Sequence, residues 1–245
     1  MALQVAREAI VLLKNQDNLL PLNRSTVHKI AIFGSIAVNT PMLGWGSGRF
    51  ASFHHVDFLD GIRTVAGKSI AVTYTPFPTT DVSSARNADA AIVCVGRHEA
   101  EGYDCSFDLP ADDIKLISAV CAANPHTIVV NQSGAAVEMA TWISKPAAIL
   151  QSWFIGQEGG TAPGEIVFGA VNPSGHLPVT FERRLEDYPA LPPLTPAFCN
   201  RDSLTRRLTI RKASSSVTAG WTKRGGSRFS LSATDSPIRP LNIPT

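Results

Sequence analysis

The chain has 245 residues, a formal charge of +2 and 44% hydrophobic residues, enough to bury a sizeable core as one domain or as a domain with an appendage. No apolar run is long enough to cross a bilayer, and Arg7 and Glu8 interrupt the first apolar stretch, so neither a membrane span nor a secretory signal is expected. The charge is divided: nine basic and two acidic residues lie from Thr195 onward, against 13 and 18 before it. An acidic body with a basic tail is unlike the organised basic face of a nucleic-acid binder.

Val5, Ala6, Ile10 and Leu13 share one helical face, so the spacing predicts a helix over residues 2–14. A turn-rich stretch follows to Asn23. Short apolar runs then recur at 29–34, 69–74, 90–95, 127–131 and 147–152, each the pattern of a strand buried on both faces. Helices are predicted between them at 111–123, stopped by Asn124-Pro125, and at 158–168, stopped by Gly169. Alternation of this kind implies an α/β fold, a doubly wound and mostly parallel sheet flanked by helices. Ligands of such sheets sit at the carboxyl ends of the strands, which selects the loops after Gly34, Val95, Asn131 and Ser152. Beyond residue 192 periodicity stops. Residues 1–192 are therefore read as the domain, and 193–245 as a basic, low-complexity, disordered tail.

Cys94, Cys105, Cys121 and Cys199 form no C-x-x-C pair and no His cluster accompanies them, so no metal site or cofactor is expected. The glycines of Gly44-Trp-Gly-Ser-Gly-Arg49 alternate and do not form G-x-G-x-x-G. Gly67-Lys68-Ser69 lacks the first P-loop glycine, because Ile62 stands there. The loop after the 90–95 strand carries Arg97, His98, Glu99, Glu101, Asp104 and Asp108. A carboxyl at this end of a strand can serve as a general acid if its surroundings raise its pKa. Spacing alone favours a solvated acidic loop.

Taken in order, Ala6-Arg-Glu-Ala-Ile-Val-Leu-Leu-Lys-Asn15, Leu20-Pro-Leu22, Lys29-Ile-Ala-Ile-Phe-Gly34, Glu101-Gly-Tyr-Asp104, Leu109-Pro110, Gly156-Gln-Glu-Gly-Gly160 and Asn172-Pro-Ser-Gly-His-Leu-Pro-Val-Thr-Phe181 resemble the C-terminal α/β domain of family 3 glycoside hydrolases, of β-glucosidase type. The resemblance implies a retaining glycosidase acting on β-linked sugars. Such enzymes need a nucleophilic carboxylate and an acid/base carboxyl about 5–5.5 Å apart. In the family the nucleophile comes from an N-terminal (β/α)8 barrel and the acid/base from the acidic loop. Carried over by position, the acid/base is Glu101, with Glu99 as the next candidate. Trp45 and Ser47 fall in the loop resembling the aglycone wall of the pocket, and Gln157 and Glu158 are assigned a structural role. Cys105 stands where many relatives carry arginine. The implied partners are a β-glucoside or related oligosaccharide and a family barrel, with no nucleic acid and no membrane. Without that barrel the chain is expected to be inactive, as a fragment or as a subunit that borrows one. The competing expectation is a non-catalytic sugar-binding or degenerate module.

Overall fold

The computed structural model describes residues 1–47, 51–101 and 105–187. The tail read from 193–245 lies outside them. Among the described residues the β-branched and apolar runs form six strands: β1 (Val11–Asn15), β2 (Lys29–Phe33), β3 (Ala71–Thr75), β4 (Ala90–Gly96), β5 (Thr127–Gln132) and β6 (Ala148–Gln151). They lie in one sheet in the order β1-β6-β5-β4-β2-β3. All neighbours are parallel except β1, which runs antiparallel along β6.

Side chains alternate across the sheet with period two, and both faces are buried. Ile30, Ile32, Ile92, Cys94, Ile128 and Val130 belong to one core. Ala31, Phe33, Val93, Val95, Val129 and Ile149 belong to the other. The first core is covered by α1 (Ala2–Ala9), α2 (Phe58–Ala66) and α5 (Thr161–Val167), the second by α3 (Ser83–Arg86), α4 (Ala111–Ala123) and the turn around Trp142. The result is a three-layer α/β sandwich.

Several elements differ from the sequence expectation, α2 and α3 having no counterpart in it. The first helix ends at Ala9, because Ile10 turns extended (φ −67°, ψ 132°) and the chain continues as β1. Val11, Leu12 and Leu13 fit a helical stripe, yet as a strand they reach both cores: Val11 and Leu13 join one and Leu12 packs against the other. The segment expected as a helix over 158–168 divides into a 3-10 turn at Gly156–Glu158 and α5. The strand expected at 69–74 lies at Ala71–Thr75. No helix among the described residues is long and apolar enough to cross a membrane.

From β2 the chain crosses to β3 by α2 on one face, then returns past β2 to β4 by α3 on the other. The winding direction therefore reverses between β2 and β4, the place where ligands of such sheets bind. Gly34 makes this junction possible: its φ is 102°, and a Cβ there would lie 1.9 Å from the Cys94 carbonyl oxygen.

Candidate active site at the carboxyl ends of the sheet

Two loops meet at this reversal, 34–57 after β2 and 97–110 after β4. Trp45 and Ala100 pair as a short parallel bridge. The Trp45 N–H donates to the Glu99 carbonyl (2.7 Å), and the Glu101 N–H donates to the Trp45 carbonyl (3.0 Å). This register carries Ser47 to the Glu101 carboxylate, which accepts from the Ser47 hydroxyl and from its backbone N–H (3.3 Å). Gly46 permits the approach: its φ is 121°, and an added Cβ would stand 2.8 Å from Glu101 Cβ. Three of the residues singled out in the sequence, Trp45, Ser47 and Glu101, thus lie together. Trp45 is 55% exposed. Glu101 is solvated, and the two Ser47 hydrogen bonds hold its carboxyl below the usual glutamate range.

Glu99, the other acid/base candidate, faces inward. Its Oε1 accepts from Arg97 Nη2 (2.7 Å) and Nε (3.1 Å), and its Oε2 accepts the Gly134 N–H (2.9 Å). Arg97 is only 8% exposed and also donates to the carbonyls of Ser106 and Ala136. The two ends of the acidic loop are thereby joined to the segment after β5. The Glu138 N–H adds a further tie to the Phe107 carbonyl (2.9 Å).

The floor beneath is polar, and its amide nitrogens are paired while Asn131 Oδ1 and Gln132 Oε1 are buried without a partner. Asn131 Nδ2 donates to Gln151 Oε1 (2.5 Å), Gln151 Nε2 to the Ser133 carbonyl (3.1 Å), and Gln132 Nε2 to the Pro41 carbonyl (2.7 Å). The 156–160 segment braces the β2 loop. The Gln157 carbonyl accepts the Val56 N–H (3.0 Å), Gln157 Oε1 accepts from Ser52 (3.2 Å), and the Glu158 carboxylate accepts from the Thr161 hydroxyl (2.7 Å).

Sequence reasoning passed over Asp113. It is 5% exposed in the first turn of α4, with the Gly96 N–H as its backbone partner. Burial pushes its carboxyl up to about 6, and nearby Asp112 adds to the rise. The signal was available: Asp113, Leu116, Ile117 and Val120 lie on one helical face. Among the described residues no group of three or more His, Cys, Asp or Glu is placed to hold a metal ion.

Similarity to known proteins follows this architecture. Exo-alpha-(1->6)-L-arabinopyranosidase of Bifidobacterium longum is 35% identical over 214 residues, covering 78% of this chain and 28% of that enzyme. Beta-glucosidase BoGH3A of Bacteroides ovatus is 34% identical over 220 residues, covering 77% and 29%. The crystal structure of a GH3 beta-glucosidase from Bifidobacterium adolescentis aligns with a TM-score of 0.68 at 33% identity, over 78% of this chain and 30% of that one. The chain spans less than a third of the length of these relatives. Residues 10–216 match the model of the glycosyl hydrolase family 3 C-terminal domain, and the chain belongs to that family.

Proposed function

We propose that this domain supplies Glu101 as the acid/base, and the Trp45–Ser47 loop as part of the sugar pocket, to a retaining β-glycosidase of β-glucosidase type. The observation that carries the reading is the meeting of Ser47 and Glu101 where the sheet reverses its winding. The nucleophile belongs to a (β/α)8 barrel outside the residues of this chain. In the first step that nucleophile attacks the anomeric carbon, and the departing oxygen takes the Glu101 proton. In the second, the Glu101 carboxylate takes a proton from water, whose oxygen attacks the same carbon and frees the nucleophile. The full protein therefore acts on terminal β-linked sugars. The relatives are named for different sugars, a β-glucosidase and an arabinopyranosidase, and in this reading the barrel makes the choice of sugar.

Ser47 stabilises the charged form of Glu101, which suits the second step. The first step needs a protonated carboxyl, and the barrel and sugar supply it by expelling water from around Glu101, since desolvation raises a carboxyl pKa. The low-titrating, solvated Glu101 also supports a second reading, a non-catalytic sugar-binding module that never meets a barrel.

The test is nitrophenol release from an aryl β-D-glucoside by the chain, alone and mixed with a nucleophile-bearing family barrel. Activity is expected only in the mixture. Glu101→Gln should abolish turnover of cellobiose and spare activated aryl glycosides more, because a good leaving group needs little protonation. Unchanged cellobiose turnover with Glu101→Gln would remove Glu101 from the mechanism. Glucose binding by the chain, with no activity in the mixture, would establish the binding module.

A further inference from the structure

We infer that Glu99 is a positioning residue, whose carboxylate, clamped between Arg97 and Gly134, sets the place of Glu101 through the main-chain bridge to Trp45. The inference rests on the reading of Glu101 as the acid/base. Its physical content is a chain of contacts that can be broken one at a time.

Both Glu99 oxygens are occupied. Oε1 takes a forked pair of hydrogen bonds from the Arg97 guanidinium and Oε2 takes the Gly134 N–H. A carboxyl so engaged is held in place by the three bonds, and putting a proton on it would leave the buried Arg97 without its counter-charge. The clamp is also closely fitted, since a Cβ on Gly134 would stand 2.6 Å from Glu99 Oε2. One side chain therefore fixes residue 99 against the ends of both β4 and β5.

The main chain of the same residue does the positioning. The Glu99 carbonyl accepts the Trp45 N–H and the Trp45 carbonyl accepts the Glu101 N–H. These two bonds bracket Ala100 and lock the loops in register. Ser47, two residues beyond Trp45, reaches the Glu101 carboxylate only in that register. That contact holds the Glu101 pKa below the usual glutamate range. Releasing the Glu99 side chain should loosen residue 99, then the bridge, then the Ser47 hydrogen bonds.

The experiment reads the titration of Glu101 by carboxyl 13C NMR in the chain itself, without a barrel. The unmodified chain should titrate below the ordinary glutamate range. Ser47→Ala should raise the Glu101 pKa by deleting the hydroxyl bond. Glu99→Gln, which removes the charge facing Arg97, should raise it by a similar amount. In Ser47→Ala/Glu99→Gln the second change should add little, because both act on one contact. Gly134→Ala presses on Glu99 without altering any charge and should give the same direction of shift, so the outcome does not hang on the folding of Glu99→Gln. A Glu101 titration left unchanged by Glu99→Gln or Gly134→Ala, in a chain whose amide spectrum remains folded, overturns the positioning role. So do shifts that add fully in the double variant.

Failure of the acid/base reading looks different. It would appear as barrel-complemented turnover indifferent to Glu101→Gln, with the NMR coupling between Glu99 and Glu101 intact. In an active mixture, Glu99→Gln should move the acid/base limb of the pH–rate profile upward, whereas Glu101→Gln should erase that limb. A catalytic Glu99 would instead lose its own limb with Glu101 still titrating as before, and that result also overturns the inference.

Discussion

Asp113→Asn should stabilise the domain at neutral pH and not in acid. The Asp113 carboxyl titrates near 6 in the folded chain, chiefly because burial penalises its charged form. Exposed in the unfolded chain, it titrates near the ordinary value of 3.8. The folded state thus holds the proton more tightly, so stability falls as pH rises from about 4 to about 6 and is level above that. Integrated over this window, the ionised carboxyl costs the fold about 3 kcal/mol at pH 7 and only about 0.5 kcal/mol at pH 4. Asparagine is nearly isosteric and keeps an oxygen for the Gly96 N–H, but its buried amide hydrogens lose water and take back about 1 kcal/mol. The net expectation is a gain of about 2 kcal/mol at pH 7 and a small loss, about 0.5 kcal/mol, at pH 4. In a domain of this size the neutral-pH gain corresponds to a rise in Tm of about 4–8 °C. Urea titrations at both pH values, followed by tryptophan fluorescence, measure it, with buried Trp142 as a reporter. An Asp113→Asn chain that is no more stable at pH 7, or that gains equally at pH 4, would refute the argument.

Two core substitutions test the packing. At Gly61 in α2 an added Cβ would lie 2.0 Å from the Gly160 carbonyl oxygen, and at Gly164 in α5 it would lie 2.8 Å from the Gly61 carbonyl oxygen. Backbone cannot yield as a side chain can, so Gly61→Ala should destabilise the domain by about 3 kcal/mol or more in urea denaturation. Trp142 is fully buried and its indole N–H donates to the Glu138 carbonyl (3.0 Å). Trp142→Ala should cost about 3–5 kcal/mol by loss of packing, and Trp142→Phe less. Equal losses for the two variants in the same titration would shift the weight from packing to the hydrogen bond.

The parallel core was legible because β4 and β5, Ala90–Gly96 and Thr127–Gln132, are buried at every position. Such strands read as unbroken apolar runs bounded by turns, with no competing period. Helix α4 was legible for the complementary reason, an apolar face with a stop at Asn124-Pro125. β1 was not, because five residues directly after a helix continue its spacing whether or not the backbone does. Only the partner strand, far along the chain, decides. Helix α2 escaped although Phe58, Leu59, Ile62 and Ala66 mark it, since Gly61 inside it lowers helical propensity. At the site, chain order and motif brought out Trp45, Ser47 and Glu101. The relation between Glu99 and Glu101 was beyond reach, because two carboxylates two residues apart look equivalent until the buried Arg97 and the Gly134 N–H show which one is occupied.

The antiparallel edge has a consequence for the order of events during synthesis. Val11 lies opposite Gln151 in the finished sheet, about 140 residues later in the chain. At typical translation rates of about 5–20 residues per second, that separation is a wait of about 7–28 s. Throughout it the apolar strand β1 has no partner. The β2–β4 region, whose contacts are nearer in sequence, can begin to associate, but the sheet cannot close at its other side. An arrest before Gln151 therefore leaves β1 of this domain as an exposed, pairing-competent strand. The sheet of the described residues is complete only when β6 has left the ribosome.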